Sequence, residues 1–268
     1  MAGLKGKAIS SVYKSLLRVN DDTNGVDTSA TVVTDGEGTN SCFWISDDVM
    51  LVKPDNDDSA VTFRVSDAAN NAIFNVDTTN SRVRAGVGQF NVLTQYAYFG
   101  VNFSDFSSSV ADTHYPIPFS AASGGATLAN DVDFGTGTDP DTTFTTANTD
   151  TQYAAQIVPM MWFVPDNISI DSVTSIEGAD DSTGDTTRMH LKSFTLNSGS
   201  TSCLTAGELL AHNSDETNAG NEQAYKSTWT IDEASVTSGK VILAFFRADT
   251  DPHNSDYSLN ITVKYHLV

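Results

Sequence analysis

A chain of 268 residues with 34 acidic and 14 basic side chains carries a formal charge of −20. Of the acids, 28 are Asp and 6 are Glu, and Asp favours turns and caps where Glu favours helices. With Leu present only 14 times, this excludes a helical bundle or a fold with long crossover helices, and the scarcity of Lys and Arg excludes nucleic acid as a partner. What remains is a mainly β, turn-rich, acidic protein of one large or two ordinary domains.

Residues 1–20 contain Lys5, Lys7, Lys14 and Arg18 and no acid, so the other 248 residues carry −24. Ile9, Val12, Tyr13, Leu16 and Leu17 follow the spacing of one helical face, and Asn20-Asp21-Asp22 ends the pattern. The spacing predicts a short N-terminal helix, read as an attachment segment over 1–20. Its Lys5, Lys7, Ile9, Val12, Tyr13, Leu16 and Leu17 would dock on an acidic or apolar surface of a partner; a helix capping its own domain is the alternative, and a membrane-surface helix a third that anionic lipid would disfavour for so acidic a body. The segment lacks the compact apolar stretch of a signal peptide, and no run of 18 apolar residues predicts membrane insertion. Cys42 and Cys203 are expected to be free, mostly buried thiols.

Over residues 21–88 the chain switches to short alternating stretches between Asp, Asn and Gly turns. Phe63-Arg64-Val65 and Phe74-Asn75-Val76 repeat an F-x-V unit displaced by 11 positions, and a further turn leads to Val83. This predicts strand, turn, strand, turn, strand. Residues 53–88 supply eight large apolar side chains, too few to offset the backbone entropy of the segment. Completion by identical copies is the economical solution, which makes Val61, Phe63, Val65, Phe74, Val76 and Val83 the candidate axis of a homo-oligomer. A meander leaning on the C-terminal domain is the alternative.

The run Leu4-Lys5-Gly6-Lys7-Ala8-Ile9, continuing to Arg18, resembles the start of structural proteins of marine tailed bacteriophages. So does Val33-Thr34-Asp35-Gly36-Glu37-Gly38 leading to Phe43-Trp44-Ile45-Ser46. The Val61–Val83 stretch is similar to the F-x-V-x-D-x-x-N-x-x-V units of phage fibre shafts. The resemblance covers the whole chain loosely and residues 4–88 best. It implies a homotrimeric tail-fibre or head-fibre-like appendage on the virion surface, with an attachment segment, a slim β-shaft and a distal globular domain. The shaft here is very short, which leaves tail fibre, head fibre and capsid decoration open.

Residues 89–150 mix aromatics with Gly, Ser and Thr and are read as a β-rich connector. Beyond them the strands lengthen. Ile157–Val164 is an apolar run, and Met189 and Leu191 alternate with Phe194 and Leu196 after one phase slip, as a bulge would produce. Val241–Phe246 reads as buried on both faces, and Leu259, Ile261, Val263, Tyr265 and Leu267 alternate cleanly. Residues 151–268 therefore predict a jelly-roll-like β-sandwich.

The five histidines, His114, His190, His212, His253 and His266, fit no zinc-binding spacing. No nucleophile elbow, Walker A or dinucleotide fingerprint is present, so the chain is expected not to be an enzyme. Asp180, Asp181 and Asp185 cluster the hard oxygen ligands that calcium takes; solvated turn carboxylates are the simpler reading, and no cofactor is expected. The sequence thus points to a phage virion protein, a homotrimeric short fibre or spike that joins other virion proteins through residues 1–20 and adheres by its C-terminal domain, with a host-surface glycan as the candidate target. A capsid decoration or head-fibre protein, and a free calcium-dependent lectin, are the alternatives.

Overall fold

The computed structural model describes residues 16–21, 23–86, 90–103, 110–119, 132–146, 154–180, 183–220, 223–249 and 256–268. The fold is mainly β, and the chain divides into two compact units, Met1–Leu93 and Thr94–Val268.

The first unit holds two antiparallel meanders. One is β1 (Arg18–Val19), β2 (Thr31–Thr34), β3 (Asn40–Ile45) and β4 (Met50–Val52), paired in that order. The other is β5 (Phe63–Ser66), β6 (Ala72–Asp77), β7 (Arg82–Ala85) and β8 (Phe90–Asn91), also in chain order. Their turns explain the Asp excess. Asp35 Oδ1 accepts from the amides of Glu37 and Thr39, both at 2.9 Å, and Asp67 Oδ1 from those of Ala69 and Asn71 at 2.9 and 2.8 Å. Asp21 does the same for Thr23 and Asn24. Each short carboxylate closes its turn by bonding backbone groups that no strand satisfies; the backbone donors hold Asp21 and Asp35 below the usual range, and the Asn71 side-chain amide, ahead of the backbone donors, does so for Asp67.

The second unit is a sandwich built from β9 (Thr94–Phe103), β10 (Tyr115–Ile117), α1 (Ala154–Ile157), β11 (Trp162–Phe163), β12 (Ile168–Asp180), β13 (Thr186–Leu196), β14 (Leu204–His212), β15 (Glu216–Thr217), β16 (Gln223–Thr228), β17 (Thr230–Ile231), β18 (Ser235–Val236), β19 (Lys240–Ala248) and β20 (Asp256–Leu267). One sheet runs β10-β19-β13-β14-β17, with β11 on β19 and β15 on β13. The other runs β16-β12-β20-β9, with β18 on β12. Consecutive β12 and β13 pair with β20 and β19 in reverse order, the nested pairing of a jelly-roll-like sandwich. Phe99, Val101, Leu259, Ile261, Leu191 and Phe246 face each other between the sheets.

A second apolar layer lies on the outer face of the β19 sheet. There Phe194, Val241, Leu243 and Phe245 meet Phe134, Phe144 and Ile157. Strand β19 is therefore buried on both faces, as its unbroken apolar run predicts.

The predicted N-terminal helix falls mostly on residues 1–15, outside the described residues; at the described end Arg18 and Val19 pair with Thr34 and Val33 as a strand. One boundary is corrected. The sandwich begins at Thr94 rather than at 151, because β9 pairs along its whole length with β20 and buries Ala97, Phe99, Val101 and Phe103. The phase slip in β13 marks a change of buried face. Met189 and Leu191 point between the sheets and Phe194 into the outer layer; the pairing with β14 shifts register here, between Leu191 and Lys192 and between Ser193 and Thr195, as the expected bulge would, while the pairing with β19 stays in register.

Candidate functional site

Two places stand out. In the first, β5, β6 and β7 stack Phe63, Val76 and Val83 in one cross-strand row and Val65, Phe74 and Ala85 in the next. Residues opposite one another share a face, as do residues two apart, so all six lie on one side of the sheet. Phe63 and Phe74 meet edge to face at 6.2 Å. Val61, Phe63 and Val65 remain exposed at 48%, 42% and 45%, while Phe74, Val76 and Val83 are half-buried.

The opposite side carries Arg64, Asn75, Asp77, Arg82 and Arg84, yet Asn75 and Asp77 are buried. Asn75 donates to the Ala60 carbonyl at 3.0 Å, and Asp77 accepts from the Asn80 amide at 3.0 Å and pairs with Arg84 at 3.4 Å. The usual arrangement of a half-covered sheet is inverted: the polar side is bonded and partly covered, and the apolar side is open. These are the residues that the F-x-V repeat marks as the axis, joined by Ala85.

The second place is a set of buried ionisable groups in the sandwich. His114, His190 and His212 come together from the residue before β10, from β13 and from β14 respectively, with ring centroids 4.9 Å apart for His114–His190 and 6.4 Å for His190–His212. His212 Nδ1 lies 2.8 Å from Asp232. Lys192, on the same side of β13, is buried and donates to the Pro140 carbonyl. No spacing rule could find this set, since its members are neighbours across strands and not along the chain.

Glu177 is 2% exposed and accepts from the Thr187 hydroxyl at 2.9 Å. Burial pushes its carboxyl up to about 7, against the Thr187 hydrogen bond and with help from the nearby charge of Glu216. A carboxyl whose folded value is raised contributes stability that is full below its ordinary value and is lost as pH rises through the folded one. Wild type is therefore expected to lose about 3 kcal/mol between roughly pH 4.5 and pH 7 from this group. Glu177→Gln should remove that slope in urea melts taken across the range. An unchanged slope would exclude Glu177 as its source.

Of the calcium candidates, Asp185 accepts from the Tyr257 hydroxyl at 3.3 Å; the Asp180 side chain and Asp181 lie outside the described residues. Among the described residues no group of three or more His, Cys, Asp or Glu side chains is arranged to hold a metal ion. Lys5, Lys7, Ile9, Val12 and Tyr13 lie outside the described residues, Leu16 is half-buried, and Leu17 is exposed. Both cysteines are free, Cys203 buried and Cys42 exposed, the latter against expectation because it sits in the lightly covered first unit. Among the described residues no helix is long and apolar enough to cross a membrane.

No protein-family model and no curated protein matches the chain. Among solved structures it is similar to Eiger, a TNF from S. frugiperda, at 9% identity and a TM-score of 0.30, over 66% of this chain and 94% of that one. It is also similar to an aminopeptidase from a marine sediment archaeon, Thaumarchaeota archaeon, at 8% identity and a TM-score of 0.32, over 72% of this chain and 40% of that one. Likenesses at this level carry nothing about what this chain does.

Proposed function

We propose that this chain is a structural protein of a bacteriophage virion, a homotrimeric short fibre or spike. Its N-terminal segment seats on the particle, and its C-terminal sandwich is exposed for adhesion to the host surface. The observation that carries the reading is the open apolar face of β5–β7. A single chain that leaves Val61, Phe63 and Val65 more than 40% exposed while covering Asn75 and Asp77 has its apolar side free for a partner. Identical copies supply an identical apolar face at a common axis without a second gene product. Three joined sandwiches then compensate weak single-site adhesion by avidity. The Asp-closed turns and the −24 beyond residue 20 keep neighbouring copies on a crowded surface mutually repelling.

Light scattering on the purified full chain is expected to give the mass of three chains, and a strict monomer at micromolar concentration would overturn the trimer. Deleting residues 1–20 should leave the trimer intact and abolish its incorporation into particles. Continued incorporation would overturn the docking role.

A further inference from the structure

Residues 132–146 form a strap across the outer face of the β10-β19-β13-β14 sheet. Phe134 packs on Phe245 at 4.7 Å and stacks with Phe144 at 5.1 Å. Backbone bonds fasten the strap: Phe134 N to His114 O at 2.9 Å, His114 N to Gly135 O at 3.0 Å, Gly207 N to Thr142 O at 2.9 Å and Phe144 N to Leu204 O at 2.9 Å. It lies so close that a Cβ on Gly207 would come within 2.9 Å of the Thr142 Cα and 2.6 Å of the Phe194 ring.

Beneath the strap lie His114, His190 and Lys192, at 0%, 0% and 3% exposure. The His114 Nδ1 is 3.1 Å from the Gly135 carbonyl, which assigns the proton to that nitrogen, and its Nε2 has no partner among the described residues. Neither ring nitrogen of His190 has a hydrogen bond to a described residue; the Asp139 carboxylate is 3.6 Å from Nε2. Buried polar atoms in native proteins are nearly always paired, so three unpaired nitrogens in adjoining rings call for an explanation.

We propose that the His114–His190 pair is a proton-operated latch: uncharged, the two rings fill the space under the strap, and once protonated they lift it from the sheet and uncover the Phe134, Phe144, Phe194 and Phe245 layer. The surrounding charges set the direction. Arg188 is paired with Asp215, Arg247 with Asp112 and His212 with Asp232, so these carboxylates are already engaged. Asp139 and Asp141 face Lys192, and Asp139 also faces the His114–His190 pair. Two new imidazolium charges would thus share Asp139 with an existing ammonium in a site closed to water. Burial, above all, holds His114 down at about 4, with the Gly135 bond opposing it and Arg247 adding to it. It holds His190 lower still, reinforced by His114, Arg188, His212 and Arg247. A lowered histidine contributes stability that is lost as pH falls below the ordinary value of about 6.5 toward the folded one. Rings freed to water regain that value, so the lifted state gains about 20-fold per histidine between about pH 7 and pH 5.

Hydrogen exchange on the full chain, corrected for the intrinsic pH effect on exchange, tests the latch. Between about pH 7 and pH 5 the amides of Phe134, Phe144 and Gly207 should lose protection at least tenfold more than those of Val173 and Ile261 in the opposite sheet. Equal loss in both sheets would mean global acid unfolding and overturn the proposal. The double variant His114→Phe, His190→Phe should abolish the response, and a preserved response overturns it. Should that variant fail to fold, Asp139→Asn provides the second reading: removing the facing carboxylate should move the opening to higher pH, and no movement overturns the latch. Stoichiometric zinc binding that suppresses the acid response would make the pair a metal site and overturn it as well.

Discussion

If the proposed trimer closes on the β5–β7 face, the double variant Phe63→Asp, Phe74→Asp is expected to be a folded monomer at concentrations where the wild type gives the mass of three chains. In the single chain Phe63 is 42% exposed and Phe74 half-buried, so the carboxylate at position 63 is solvated, and the sheet loses the edge-to-face pair, about 0.5–1.5 kcal/mol, together with the partial burial of Phe74. In a trimer closed on this face, each substitution places three carboxylates around one dry axis. Burying unpaired charge costs several kcal/mol per group, so association should weaken by more than about a thousandfold. Light scattering reads the mass, and circular dichroism shows whether the sheets persist. A variant that stays trimeric places the axis elsewhere and removes the main support for the fibre reading. The opposite face offers a control: Arg64→Gln, on the polar side of β5, should leave the mass unchanged.

Phe245→Ala is expected to cost the C-terminal unit about 3–5 kcal/mol, the range for emptying a buried aromatic site. Phe245 is fully buried and holds the outer layer together, with Phe134 at 4.7 Å and Phe194 at 6.3 Å. Its neighbours Leu243 and Val241 sit on a strand pinned from both sides, so the cavity cannot collapse cheaply. Phe163, one strand edge away and 55% exposed, should lose less than about 1 kcal/mol on the same substitution. Urea unfolding of both variants gives the comparison. Similar costs for the two would show that the outer layer contributes no more than surface packing.

How far the sequence could be read depended on whether a signal was local. The F-x-V units lie on one face because side chains alternate with a period of two along any strand, so their grouping needed no knowledge of the partner strands. The alternation of Leu259 to Leu267 and the unbroken run from Val241 to Phe246 were legible for the same reason, as was the use of Asp to close turns. Strand β9 was not, because nothing in Thr94–Phe103 says that its partner is β20, at the far end of the unit. The slip between Leu191 and Phe194 was legible as an irregularity, which the pairing with β14 carries, but only a second layer tells which face is buried there.

The histidine set lay furthest from view. His190 and His212 sit on neighbouring strands and His114 just before a third, and their meeting depends on register and on the strap that covers them. The sequence by itself determined the class of fold, the turn chemistry and the apolar face of β5–β7, because each rests on backbone periodicity or on side chains bonding their own backbone. Only the tertiary structure decided which strands make up the sandwich and which ionisable groups it seals from water, because pairing and burial are properties of contacts between distant segments.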